Sequence, residues 1–566
     1  MPTPTRDAGP IPDLLSPEPT IRVDLAELRQ TIVFAFATSG EIDQFERALA
    51  GAALPASAWD AEQFERDLFL HDLVERGFPV RAAGRVYQPS VAHLLRVLSQ
   101  PPRDGAVVPF RRAILEELVE VPDLRADLER IYIEIVALRG LLCAGRQPSR
   151  WLRRLEILRA VHALFASLAN RFTGATSGLA RLRAFGAHVI AGEAYKRLDA
   201  LLDHEANLGT VDLRVGVGSD GELRTFQIVA VRENTANPFH ASPLGRWIAK
   251  ISLFLRGFRM NGGEVVERLV DDVFSGLEES VAMLFQLVGD IELHLAALGF
   301  RDRAMAKGLA VCFPDLVANG EAGMRFIGLF NPLLIGDKSV PVPCDLRIAR
   351  AGSVVIVTGP NSGGKTRLLQ AIALAQMLAE AGCFVPAAAA TLPRVSGLFV
   401  SLVQESRADQ PEGQLGMELL RIRRVFETLD MGSLVLLDEL CSGTNPSEGE
   451  EIARLVISLL PELSAQVFVT THLLSFAERL AQDRPIEALE VFQVELDAHE
   501  RPTYGFVPGV AKTSLAHKTA ARLGVTKDEL LGLIAAKKRA AASEGSGPTS
   551  GTHARAKVES AAAGRR

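Results

Sequence analysis

The sequence predicts a mainly α-helical region interrupted by one β-hairpin, followed by a C-terminal α/β domain built on a phosphate-binding loop. Three observations carry that prediction. Apolar residues recur at spacings of three and four from about Leu25 to Leu208, and again from about Gly263 to Leu309. Between those stretches the period falls to two, with Val211, Leu213, Val215 and Val217, a turn at Gly218–Gly221, then Phe226, Ile228 and Ala230. Beyond about Met324, short apolar runs alternate with helical segments, the pattern of a mainly parallel sheet flanked by helices.

Bulk properties narrow the function classes. A chain of 566 residues has room for several domains, and 48% apolar with 23% charged residues supplies packed cores. The formal net charge of −6 excludes a globally basic nucleic-acid binder and leaves room for a local basic groove. The 5 cysteines never form CxxC, which argues against a disulfide framework and a thiolate zinc site. The first residues are Pro-rich where a signal peptide would be basic and then apolar, and the longest apolar candidate, 368–392, is broken by Gln370, Gln376 and Glu380. The expectation is a cytoplasmic protein with no membrane partner.

In chain order, residues 1–20 read as a flexible leader and 21–310 as the helical region, with the hairpin near 211–231. Residues 311–534 read as the phosphate-loop domain and 535–566 as a disordered basic tail. That tail carries Lys537, Lys538, Arg539, Arg555, Lys557, Arg565 and Arg566 against Glu544 and Glu559, enough for a weak electrostatic hold on nucleic acid.

The sharpest motif is Gly359-Pro360-Asn361-Ser362-Gly363-Gly364-Lys365-Thr366, a match to GxxxxGK[ST]. Glycines let the backbone bend around a phosphate so that successive N–H groups face it, and the following helix points its positive end at the same group. Lys365 offers a full charge to β/γ oxygens, and Thr366 a hydroxyl to Mg²⁺. The β-branched run Ser353–Thr358 before the loop reads as a strand, and Leu368–Leu378 after it as an amphipathic helix.

Further on, the apolar run Leu434–Leu437 ends in Asp438-Glu439. Adjacent residues of a strand point to opposite sides, so Asp438 is assigned to the metal and Glu439 to the general base. A third run, Gln466–Thr471, ends at His472, placed to contact the γ-phosphate or the attacking water. The small polar residues Ser442–Gly449 suit close approach by a second subunit.

The segments TGPNSGGKT, AGCFVPA, LVLLDELCSGTNPSEG, VFVTTH and PTYGFVPGVAKTSLAHKTAARLGV, in this order, resemble the ATPase domain of the MutS family, an ABC-type ATPase. GPNSGGKT, AGCFVPA and GTNPSEG are closer to the second MutS subfamily than to the mismatch-repair one. By layout, the helices at 105–205, the hairpin at 211–231 and the helices at 263–309 are similar to the family's core, clamp and lever regions. The resemblance implies ATP and Mg²⁺ as ligands, slow hydrolysis and a homodimer clamping duplex or branched DNA in mismatch repair or recombination-related maintenance. It also allows a ribosome-associated ATPase acting on structured RNA, or a scaffold whose nucleotide controls dimerisation. Three departures stand out. The family's Ser-containing signature corresponds to Glu412–Leu419, with Gly413 or Gln414 where Ser is expected. No Phe-x-Glu precedes the ATPase region, the one in the chain being Phe476-Ala477-Glu478, so only a weak mismatch preference is expected. The Smr nuclease-like domain of the second subfamily is expected to be absent.

Overall fold

The computed structural model describes residues 9–144, 150–205, 210–217, 223–232, 271, 273–360, 362–402, 414–440, 445–483, 486–512 and 525–544. The N-terminal half is organised around one long helix, Glu278–Met305. Helices Leu25–Ala37, Ile42–Ala50, Val91–Ser99, Val107–Glu120 and Pro122–Cys143 all pack on it. Arg150–Asn170 packs on Pro122–Cys143 and on Ala180–Ala191, and Glu193–Glu205 packs on Arg150–Asn170 and Ala180–Ala191.

The central helix is buried at every position from Leu284 to Phe300. A helix apolar on all sides belongs in a core or in a membrane. Its 18-residue window is long and apolar enough to cross a bilayer, yet 94% of that window is buried, so the surrounding helices account for it. Its buried polar residues Gln286, Asp290, Glu292 and His294 each have a hydrogen-bond partner. Glu292, for instance, accepts from Ser90 N–H at 2.9 Å and Tyr132 O–H at 3.0 Å.

The expectation of a flexible leader is corrected for residues 9–20. Leu14 and Leu15 are completely buried. Leu14 N–H donates to Asp290 Oδ2 at 3.0 Å, and His294 Nε2 lies 3.1 Å from Leu14 O. Arg111 Nε donates to Leu15 O at 3.0 Å, and Arg181 donates to Asp13 O and Ser16 O. Arg22 sits 2.6 Å from both Asp13 and Asp290. Burial works against the Arg22 charge, and the Asp290 and Asp13 carboxylates outweigh it, holding the guanidinium above its ordinary range. The Pro-rich start is therefore an ordered strap, its backbone bonded largely to side chains instead of in a helix or sheet.

A short hairpin, β1 (Val80–Ala82) with β2 (Arg85–Tyr87), interrupts the helices and was not visible in the periodicity. The larger hairpin pairs β3 (Thr210–Val217) with β4 (Leu223–Arg232), antiparallel, with Val215 opposite Phe226. Its Gly218–Gly221 turn lies outside the described residues.

The C-terminal half contains β5 (Asp315–Val317), β6 (Arg325–Leu329), β7 (Cys344–Arg347), β8 (Val354–Thr358) and β9 (Ala389–Pro393). It continues with β10 (Leu398–Ser401), β11 (Leu434–Leu437), β12 (Gln466–Thr471), β13 (Leu489–Leu496) and β14 (Pro502–Pro508). One four-stranded sheet has the order β5-β9-β6-β7. The other, six-stranded, runs β10-β11-β12-β8-β13-β14 and is parallel except for β14. Strands β8, β11 and β12 are buried throughout, as their unbroken apolar runs require of a sheet covered on both faces.

Two further expectations change. The helix after the phosphate loop, Lys365–Glu380, is not amphipathic, since every residue from Leu368 to Glu380 is buried. The polar residues that broke its apolar run are bonded inside: Gln370 Nε2 to Asp67 O at 3.1 Å, Gln376 Nε2 to Pro393 O at 2.9 Å, and Glu380 to Arg394 at 3.1 Å. At the C-terminal end, helix Lys527–Glu544 runs past Ala535, where disorder was expected to begin. Its Ala- and Lys-rich composition favours helix without any packing.

Candidate active site

Strands β11, β12 and β8 are parallel neighbours, so their C-terminal ends reach one edge of the sheet. That edge carries Asp438-Glu439 after β11, His472 after β12 and the phosphate loop after β8. Residues far apart in sequence thus meet because parallel pairing aligns the ends of their strands.

The loop is shaped by its glycines. Gly359 has φ 135° and a Cβ there would lie 2.7 Å from Val494; Gly364 has φ 87° and precedes the first residue of the helix. Pro360, Ser362 and Gly363 form the bend between them, closed by Gly363 N–H donating to Pro360 O at 2.9 Å. Asn361 lies outside the described residues. Lys365 is buried, with its ammonium donating to Gly359 O at 2.9 Å and Pro360 O at 3.2 Å. Burial pulls its pKa below the ordinary lysine value, and the charges of Glu439 and Asp438 pull the other way.

Thr366 Oγ1 donates to Asp438 Oδ2 at 2.6 Å. A hydroxyl and a carboxylate oxygen this close form a hard donor pair that fits Mg²⁺, which takes few protein ligands and completes its shell with phosphate and water.

Contrary to what their adjacency predicts, Asp438 and Glu439 do not lie on opposite faces of a strand. Strand β11 ends at Leu437, and Glu439 has φ 53°, a left-handed turn. That turn, and not strand alternation, sets the two directions. Glu439 N–H donates to Thr470 Oγ1 at 3.0 Å, and Thr470 in turn donates to Asp438 Oδ1. His472 Nδ1 is 3.9 Å from Glu439 Oε1, and both side chains are partly exposed. The predicted phosphate, metal and base residues that are described therefore converge on one edge.

Sequence reasoning missed three features. Thr470 lies inside the VFVTTH segment, where His472 alone is assigned a role. Asn331 donates to Arg367 O and Gln370 Oε1 at 3.2 and 3.1 Å, fixing the segment beside the phosphate-loop helix. Tyr504, with φ 65°, would touch a Cβ at Gly364 at 3.2 Å and walls a cavity of about 900 Å³ that reaches Arg367, Phe330 and, from the helical half, Phe69 and Leu73.

Two loops read from sequence are only partly described. Of Ser442–Gly449, residues 442–444 lie outside the described residues, while Ser447–Gly449 fall in the first turn of helix Pro446–Leu459, capped by Asn445 accepting from Ser447 N–H at 3.3 Å. Of the signature stretch, Gly413 lies outside and Gln414 opens helix Gln414–Thr428. Arg421 of that helix is 3.0 Å from Asp67 of the helical half.

Residues 355–532 match the family model described as MutS domain V. The chain is similar to curated relatives named endonuclease MutS2. That of Thermomicrobium roseum is 33% identical over 282 residues, 47% of this chain and 35% of its own. Those of Carboxydothermus hydrogenoformans (29% identical, 54% of this chain, 38% of its own) and Thermus thermophilus (31%, 50%, 36%) are similar to the same extent. The chain spans about a third of the length of these relatives.

Proposed function

From the premise that this chain is a MutS-family protein carrying the family's ATPase domain, we propose that it binds ATP·Mg²⁺, hydrolyses it slowly, and uses the nucleotide to close a homodimer around duplex or branched DNA. The observation that carries the reading is the convergence of Lys365, Thr366, Asp438, Glu439 and His472 on the ends of three neighbouring parallel strands.

In this reading the loop N–H groups and Lys365 hold the phosphates, and the cavity walled by Tyr504 and Phe330 takes the base and ribose, its aromatic walls facing the base and its polar residues, Asn331 and Arg367 among them, within its lining. Thr366 and Asp438 would hold Mg²⁺, which when bound screens the charge of the phosphates. Glu439 accepts the proton of the attacking water, and His472 stands beside it. The helical half supplies the arms that meet DNA, mainly through phosphates, so they position without specifying sequence. The setting is cytoplasmic DNA repair or recombination-related maintenance.

With no wedge motif before the ATPase region, mismatched duplex should be preferred less than about fivefold, or about 1 kcal/mol. A competition titration with matched, mismatched and four-way-junction DNA at two salt concentrations tests this. A hundredfold mismatch preference would overturn the clamp reading. Co-sedimentation with ribosomes in the absence of DNA binding would move the reading to structured RNA. Ultracentrifugation of the Glu439→Gln protein with and without ATP tests the dimer: a monomer in both conditions removes the clamp.

A further inference from the structure

Strand β12 contributes more to the site than the histidine that follows it. Thr470 is completely buried and lies opposite Val357 of β8, so its hydroxyl is presented from a strand paired on both sides. The hydroxyl accepts Glu439 N–H at 3.0 Å and donates its single proton to Asp438 Oδ1. A hydroxyl that accepts one bond and donates another has no rotational freedom left. The other oxygen, Asp438 Oδ2, is thereby turned to Thr366 Oγ1 at 2.6 Å. The same contact ties down the backbone of Glu439 at φ 53°, a conformation a side chain of that size adopts only when its surroundings impose it.

We propose that Thr470 is the positioning residue of the carboxylate pair: one buried hydroxyl orients Asp438 toward the metal side and holds Glu439 in the turn that aims it at the water. The proposal rests on the ATPase reading above. It assigns Thr470 no contact with nucleotide and makes it act through two neighbours, so its loss should separate the metal-dependent part of binding from the phosphate-loop part.

Valine has the shape of threonine without the hydroxyl, and serine has the hydroxyl without the second methyl. The test measures the affinity of the full chain for a fluorescent ATP analogue, in Mg²⁺ and in EDTA, for wild type, Thr470→Val and Thr470→Ser, with turnover against Mg²⁺ concentration beside it. Thr470→Val should bind in EDTA as wild type does, lose most of the gain in affinity that Mg²⁺ brings, and need about tenfold more Mg²⁺ for half-maximal turnover, with a lower kcat. Thr470→Ser should restore most of both. Thr470→Val that matches wild type in both media overturns the proposal, as does equal weakening with and without Mg²⁺, which would mark damage to the loop. Failure of wild type itself to bind the analogue would instead overturn the ATPase reading and this inference with it.

Discussion

Arg22 in the helical half and Lys365 in the phosphate loop are both buried cations, but they are held differently. Arg22 lies 2.6 Å from each of two carboxylates, Asp13 and Asp290, that are themselves completely buried. Lys365 is bonded to two loop carbonyls, and the acids that act on its charge stand across the gap between strands. The first arrangement is closed, with charge neutralised by charge inside the fold. The second leaves the cation poised for an external anion. Buried charge in the helical half thus acts as a staple for the strap at residues 13–22, and in the phosphate-loop half as part of the candidate site. The difference predicts where each loss will be felt.

The largest effect should come from breaking the staple. Arg22→Met removes the cation and leaves Asp13 and Asp290 facing each other without it, which should cost about 3–5 kcal/mol of stability. Denaturant unfolding measures it. A loss confined to nucleotide affinity, with stability unchanged, would break the comparison.

Acid should act on the same strap through His294, whose burial pushes its pKa down to about 4 from 6.5. The folded form then binds fewer protons than the unfolded form across that interval, so stability is lost as pH falls through it. His294 Nδ1 has no hydrogen-bond partner, so a proton there would find no acceptor. His294→Gln keeps a donor for Leu14 O and cannot titrate. Between pH 6.5 and 4 it should lose less stability than wild type, by up to about 3 kcal/mol. Parallel pH profiles of the two proteins would sink the idea.

At the site the expected effects leave the fold alone. Glu439→Gln should retain ATP and lower turnover by at least about a hundredfold, or about 2.7 kcal/mol in the barrier. Turnover at the wild-type rate would mean that another group takes the proton. Lys365→Ala should weaken ATP binding at least about tenfold, with an unfolding midpoint close to that of wild type. A large drop in that midpoint would show that Lys365 is a staple as well, and would blur the contrast with Arg22.

The site was more legible than the helical half because its chemistry is local. A loop around phosphate needs glycines at fixed offsets from Lys365 and Thr366, and an acid pair at a strand end sits in consecutive positions. The strap was read as a leader because nothing within residues 9–20 repeats. Its partners, Arg111, Arg181, Asp290 and His294, come from three distant helices. The small β1–β2 hairpin escaped for a related reason. Its turn places Ala83 at φ 46° before Gly84, without the Asn or Asp that usually marks such a turn, and Glu129 of a neighbouring helix accepts the Ala83 N–H at 2.8 Å.

By itself, the sequence singled out Lys365, Thr366, Asp438 and Glu439 as candidates and the half of the chain in which they lie, because glycine spacing, strand ends and a lysine charge are properties of adjacent residues. It also determined that a helix-rich region precedes them, since periods of two and of three to four are local. Only the tertiary structure decided how Asp438 and Glu439 point, because their directions come from a left-handed turn held by Thr470 on another strand. It alone decided that Gln370, Gln376, Asp290 and Glu292, on two mostly buried helices, lie inside the fold, since burying them requires partners that folding brings from far along the chain.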